Sequence, residues 1–173
     1  MIRIPKPGAG EHDPYYSKYI QLVGDDALAA LRAGSASTPR LLSGVSEPQA
    51  LHRYAPGKWS VKEVLGHVTD SERVFAYRAL RIARGDGTPL PGFDENVWVP
   101  EGRFDRRALP ELVAEYSAVR AATLALLRSL DSEWLVRRGT ANGQEVSVRA
   151  LAHIMAGHEL HHVKLLRERY RLA

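Results

Sequence analysis

Trp59-Ser60-Val61-Lys62-Glu63-Val64-Leu65-Gly66-His67-Val68 carries the clearest helix start in the chain. Ser60 and Glu63 form a capping box. The hydroxyl accepts from the amide three residues on, and the carboxylate reaches back to the amide of Ser60. Trp59 at N′ and Val64 at N4 supply a hydrophobic staple. The pattern predicts a helix from Val61 to about Arg84, stopped by Gly85-Asp86-Gly87. Its apolar stripe is Val61, Val64, Val68, Phe75 and Ile82, with His67, Ser71 and Val74 on the shoulder.

Upstream, a helix starts at Asp25 or Asp26 and runs through Ala27-Leu28-Ala29-Ala30-Leu31, with Pro39 expected to kink or interrupt it before Leu41-Leu42. Asp13-Pro14 opens a short helical turn, residues 46–57 read as a connection, and residues 1–12, rich in Pro and Gly, as a loose arm. Downstream, residues 86–104 form a long Pro/Gly loop whose aromatics argue for packing. A third long helix follows at about 107–130, with Leu112, Val113, Tyr116, Val119, Leu124 and Leu127 inward. Leu135-Val136-Arg137-Arg138 and Gln144-Glu145-Val146-Ser147 flank Asn142-Gly143 as a candidate hairpin, and Ser147 caps a last helix over about 148–170. Four substantial helices imply an all-α four-helix bundle, with a small hairpin before the last helix, in one domain spanning residues 1–173.

The composition excludes several classes. There is no cysteine, so disulfides and thiolate ligands are ruled out and a metal must use His, Asp, Glu or water. No apolar run approaches the roughly 18 residues of a membrane span, and the first residues lack the apolar core of a signal peptide; a cytoplasmic location is the expectation. The net charge of +4 comes from arginines interleaved with Asp and Glu. The best basic cluster, Arg78, Arg81 and Arg84, reads as a solvated helix face, so no nucleic-acid partner is expected.

Four of the seven histidines lie in Leu151-Ala152-His153-Ile154-Met155-Ala156-Gly157-His158-Glu159-Leu160-His161-His162. At 100° per residue, His158 and His162 fall mid-stripe among Val148, Leu151, Ile154, Met155, Leu165 and Leu166, His161 lies at the edge, and His153 well outside. Two inward imidazoles one turn apart are costly to bury unless each finds a partner. A shared metal ion satisfies both, and hydrogen bonds to neighbouring helices are the plainer alternative. His67 is the best third ligand, provided its helix meets the last one at the right height. Three neutral imidazoles leave coordination positions open, as catalytic sites do.

The residues His158 to His162 also spell H-E-x-x-H. A peptidase of that type needs a third ligand downstream, but six residues on stands Glu168, on the same helix, and Leu165 replaces the glycine of the metzincin turn. Glu159 is a candidate base, yet lies about 100° round from His158, toward a neighbouring helix or solvent. Asp94 and Glu95, in the long loop, are further candidates to line a pocket; loop capping is their plainer role.

Pro56-Gly57-Lys58-Trp59 through Glu72 resembles the second-helix signature of the DinB superfamily, Gly85-Asp86 to Trp98 with Phe93-Asp94-Glu95 resembles its YfiT branch, and His158-Glu159-Leu160-His161-His162 sits where that family has its paired histidines. The resemblance covers most of residues 15–168. It implies a bundle of unusual helix order, a divalent metal (often nickel or zinc) on His67, His158 and His162, and homodimers. It also implies a small-molecule substrate, since relatives include transferases and isomerases dependent on bacillithiol or mycothiol, and the branch is associated with metal-dependent hydrolysis. The Gly-Gln that many members carry after the histidine pair is replaced by Val163-Lys164-Leu165, which leaves the substrate open. The expected function is therefore activation of water or a low-molecular-weight thiol by a three-histidine metal site, as hydrolase or S-transferase. A non-catalytic metal-binding module and a zinc metallopeptidase are the alternatives.

Overall fold

A computed structural model describes residues 2–173 of the chain. A 3-10 turn at Pro14–Tyr16, capped by Asp13, leads into α1 (Ser17–Ile20). Then follow α2 (Ala27–Leu42), α3 (Glu47–Ala50), α4 (Val61–Ala83), α5 (Glu95–Gly102), α6 (Leu109–Arg128), α7 (Ser132–Leu135), β1 (Arg138–Ala141), β2 (Gln144–Ser147) and α8 (Val148–Glu168). The fold is a four-helix bundle of α2, α4, α6 and α8, with a two-stranded antiparallel hairpin before the last helix. Among the described residues no helix is long and apolar enough to cross a membrane.

The capping box forms as expected: the Glu63 amide donates to Ser60 Oγ at 3.1 Å and the Ser60 amide to Glu63 Oε2 at 2.9 Å. It sets the phase of α4, whose stripe Val61, Val64, Val68, Phe75 and Ile82 is buried throughout. Gly85, with φ +77°, ends that helix in the left-handed conformation that glycine adopts without strain.

Packing gives the bundle its order. α4 lies against α6 and α8, and α2 against the same two, so α2 faces α4 across the diagonal. The core divides into two apolar clusters. One takes the start of α2 and α8 and the end of α4 and α6 (Leu28, Leu31, Phe75, Ile82, Leu124, Leu127, Leu151, Ile154). The other takes their opposite ends (Leu41, Leu42, Val61, Val64, Leu112, Leu166). The helices thus run up, down, down, up, and α4 and α6 are parallel neighbours. Parallel neighbours need a connection that returns the length of the bundle, and residues 84–108 supply it. Between the two clusters lies a belt of buried polar side chains at Thr38, Glu72, Arg120, Glu159 and the three histidines His67, His158 and His162.

Five expectations need correction. The loop over 86–104 contains α5, with Asp94 as its N-cap, and the connection over 46–57 contains α3. Pro39 does not interrupt α2, which continues to Leu42; the lost hydrogen bond and ring clash cost about 3 kcal/mol, and burying Leu41 and Leu42 returns about 1.5–3 kcal/mol each. The first hairpin strand is Arg138–Ala141, so that Asn142 (φ +52°) and Gly143 (φ +75°) form a two-residue turn of the type that suits strand twist; Leu135 belongs to α7. The N-terminal arm is not loose. Ile4 is wholly buried, its carbonyl accepts from the Ala27 amide at 3.1 Å, and the Glu11 carboxylate accepts from Ser147 Oγ and Arg149 Nε, each at 2.7 Å.

Candidate metal centre

α4 and α8 pack side by side, and the polar belt is where their histidines meet. His67 Nε2 lies 3.0 Å from His158 Nε2, and His162 Nε2 lies 3.1 Å from the same atom. The nearest ring nitrogens of the three residues fall within 4.8 Å of one another. All three side chains are buried, at 7–8% exposure. Trp59, next to the cap of α4, packs on His67 at 4.8 Å, and the Tyr19 ring meets His158 edge-on at 5.4 Å. Gly157 makes that last contact possible, because a Cβ there would lie 2.0 Å from the Tyr19 carbonyl oxygen.

Burial lowers the pKa of His67 to about 4 against a weaker opposing pull from Glu95. Burial also pushes His158 and His162 well below the usual imidazole range, with the neighbouring imidazoles adding to it. At neutral pH each ring is uncharged and holds one lone pair. Hydrogen bonding alone serves them poorly: His158 Nε2 carries either one proton or one lone pair, yet faces the Nε2 atoms of both other rings. A single cation accepts all three lone pairs at once. The residues present therefore fit a divalent metal ion.

Beside the histidines opens a cavity of about 310 Å³, lined in part by His67, His158, Tyr19, Phe75, Arg78 and Glu95. Glu95 thus reaches the site from the start of α5. Asp94 does not: it is exposed, and its carboxylate accepts from the Asn96 amide at 2.8 Å. Glu159 also points elsewhere. Its carboxylate pairs with Arg120 Nη2 at 2.8 Å and accepts from Thr38 Oγ1 at 2.6 Å and from the Tyr116 hydroxyl. Arg120, fully buried, holds Glu72 as well, at 2.6 Å. The candidate base of the H-E-x-x-H reading is therefore committed to holding α2, α6 and α8 together.

His161 is exposed and outside the cluster. His153, expected outside the buried stripe, is wholly buried, with Lys6 of the N-terminal segment and Gly24 and Asp26 before α2 close to it; its Nδ1 lies 3.0 Å from the Arg149 carbonyl oxygen. Sequence reasoning missed Tyr16, Tyr19, Arg78 and Asn142 at the cavity. Arg78 was legible in principle: positions 67, 71, 75 and 78 share one helical face. It is 3% exposed, not part of a solvated cluster with Arg81 and Arg84.

A family model described as the DinB superfamily matches residues 30–166. The chain belongs to the DinB superfamily. Its bundle is similar to YfiT from Bacillus subtilis, described as "a probable metal-dependent hydrolase with an unusual four-helix bundle topology", with a TM-score of 0.70 at 19% identity over 97% of this chain and 94% of that one. It is also similar to a mycothiol-dependent maleylpyruvate isomerase, with a TM-score of 0.66 at 18% identity over 80% of this chain. This DinB chain spans 59% of the isomerase's length. A comparison with curated protein sequences finds no match.

Proposed function

We propose that this DinB protein is a metal-dependent enzyme in which His67, His158 and His162 hold a divalent ion, zinc or nickel, and a small molecule reacts in the adjoining cavity. The observation that carries the reading is the convergence of three uncharged imidazoles on one point that faces an open cavity. A purely structural ion would more naturally be enclosed by protein on every side. A bound ion of this kind lowers the pKa of a water or thiol so that it is a nucleophile near neutral pH.

This chain's own residues do the rest. Trp59 and Tyr19 pack against the rings of His67 and His158 and fix their orientation. Glu95 stands at the cavity wall as the carboxylate able to take a proton from the incoming nucleophile. With water the reaction is hydrolysis; with a low-molecular-weight thiol such as bacillithiol or mycothiol it is S-transfer to an electrophile. The mycothiol-dependent relative supports the second and the YfiT likeness the first. A homodimer and a cytoplasmic location complete the reading, and light scattering on the purified protein checks the first.

Elemental analysis of purified protein tests the ligand set. We expect about one equivalent of divalent metal in the wild type, and loss of most of it in folded His67→Ala and His158→Ala. Unchanged metal content in both variants would overturn the assignment. Screening loaded protein with bacillithiol, mycothiol and water against a chromogenic electrophile then separates S-transfer from hydrolysis.

A further inference from the structure

Three lysine or arginine side chains are buried among the described residues: Lys62, Arg78 and Arg120. Lys62 pairs with Glu47, and Arg120 with Glu72 and Glu159. Among the described residues Arg78 pairs with no carboxylate. It has the Pro91 carbonyl oxygen, the nearby Tyr16 hydroxyl and the Phe75 ring at 5.8 Å, and its Nε has no hydrogen-bond partner. A buried charge without a counter-charge is costly, and burial pulls this guanidinium below its ordinary pKa.

The location gives that cost a purpose. Arg78 lines the cavity that also holds His67 and His158, and it lines an outer groove of about 380 Å³ bounded by Tyr77, Phe93 and Trp98. Ser71, whose buried Oγ is likewise unpartnered, lies between His67 and Arg78 on the same face of α4. Arg78 lies eleven positions beyond His67, a rise of about 16 Å between their backbones, yet both side chains line the same cavity.

We propose that Arg78, with Ser71, anchors the carboxylate of a small monoanionic substrate whose reacting end lies at the three histidines. The assignment of this acid to the substrate rests on the reading of those histidines as the reactive centre. A planar carboxylate matches the fork of Nε–H and a terminal N–H of one guanidinium. A phosphate dianion does not suit the site, because the same cavity is lined by Asp13 and Glu95 and offers one arginine. Neither acid neutralises Arg78: no ion pair joins them among the described residues, and the Asp13 carboxylate accepts from the Tyr15 amide at 2.7 Å. Phe75, Phe93 and the tyrosines supply an apolar wall for the body of the molecule.

Calorimetric titration with phenylacetate and its uncharged isostere phenylacetamide tests this, on protein as purified and after removal of metal with EDTA. The wild type should bind the acid about tenfold or more tightly than the amide, with the preference kept after EDTA, abolished in Arg78→Gln and reduced in Arg78→Lys and Ser71→Ala. A preference that survives Arg78→Gln, or disappears with the metal, overturns the proposal, as does tighter binding of inorganic phosphate than of phenylacetate. Should Arg78→Gln not fold, a wild type that binds acid and amide alike in EDTA, or an acid preference undiminished in Arg78→Lys and Ser71→Ala, overturns the proposal. Metal content is read separately, so protein that binds the acid through Arg78 but holds no metal refutes the proposed chemistry and leaves the anchor standing.

Discussion

Glu159 neighbours a candidate ligand in sequence, yet its carboxylate serves Arg120, Thr38 and Tyr116 on two other helices. Glu159→Ala leaves Arg120 buried with one of its two carboxylates. We expect a loss of about 3–5 kcal/mol in denaturant unfolding, with metal content of the folded protein unchanged. A variant that kept full stability but lost activity would instead place Glu159 in the chemistry. Glu11 supplies a pH signature at the other end of the molecule. Its hydrogen bonds with Arg149, with help from Gly8 and Ser147 and against the cost of burial, lower its pKa from 4.5 to about 2. Between these values the unfolded chain binds more protons, so the stabilisation is complete above about pH 4.5 and is lost as pH falls toward 2. Glu11→Gln should flatten that part of the stability profile and cost about 1–3 kcal/mol at pH 7. At this scale the histidine pair was legible because burying two imidazoles in mid-stripe demands a partner. The Arg120 network was not, since an arginine in an amphipathic helix ordinarily reads as its wet face.

Gly157 shows how an element is placed by what it lacks. The backbone of α1 closes on α8 at this position, and a methyl group would meet the Tyr19 carbonyl carbon at 2.4 Å as well as its oxygen. Gly157→Ala gains helix propensity of about 1 kcal/mol, but the displaced atoms are main chain, so we expect a net loss of about 1–3 kcal/mol in thermal unfolding, with α1 and Tyr19 displaced from His158. A stabilised variant would show that α1 is not seated there. The long helices were readable because caps and apolar periodicity are local signals: Ser60 with Glu63, Asp26 and Ser147 each start a helix where expected. The short elements were not. α3, α5 and α7 span one or two turns, too few for periodicity to register. The buried face of α8 near His153 depends on an N-terminal segment whose Pro and Gly content read as unstructured.

For the whole molecule, the polar belt between two apolar clusters concentrates both the Arg120 network and the histidines at mid-height. An ion held by His67 and the α8 pair would join residues 91 positions apart in sequence. Stabilisation by a ligand of the native state is about 2.7 kcal/mol at a hundred times Kd, which for a chain of this size is about 5–10 °C in Tm. We expect zinc or nickel to produce that shift in the wild type and none in His67→Ala; equal shifts would mean binding elsewhere. The up-down-down-up order was not visible in the residues themselves, because an apolar stripe says which face is buried but not which neighbour covers it.

The strand-like segment before α5 is tied to the hairpin. The Leu90 amide donates to the Thr140 carbonyl oxygen and the Asn142 amide to the Leu90 carbonyl oxygen, each at 2.9 Å, and Gly92 sits so close to the Asn142 side chain that a Cβ would meet it at 2.1 Å. The side of the cavity lined by Gly92, Phe93 and Asn142 is therefore fastened to the hairpin turn. A change at Phe93 or Asn142 would therefore reshape the cavity wall itself, because the hairpin leaves that segment nowhere else to go.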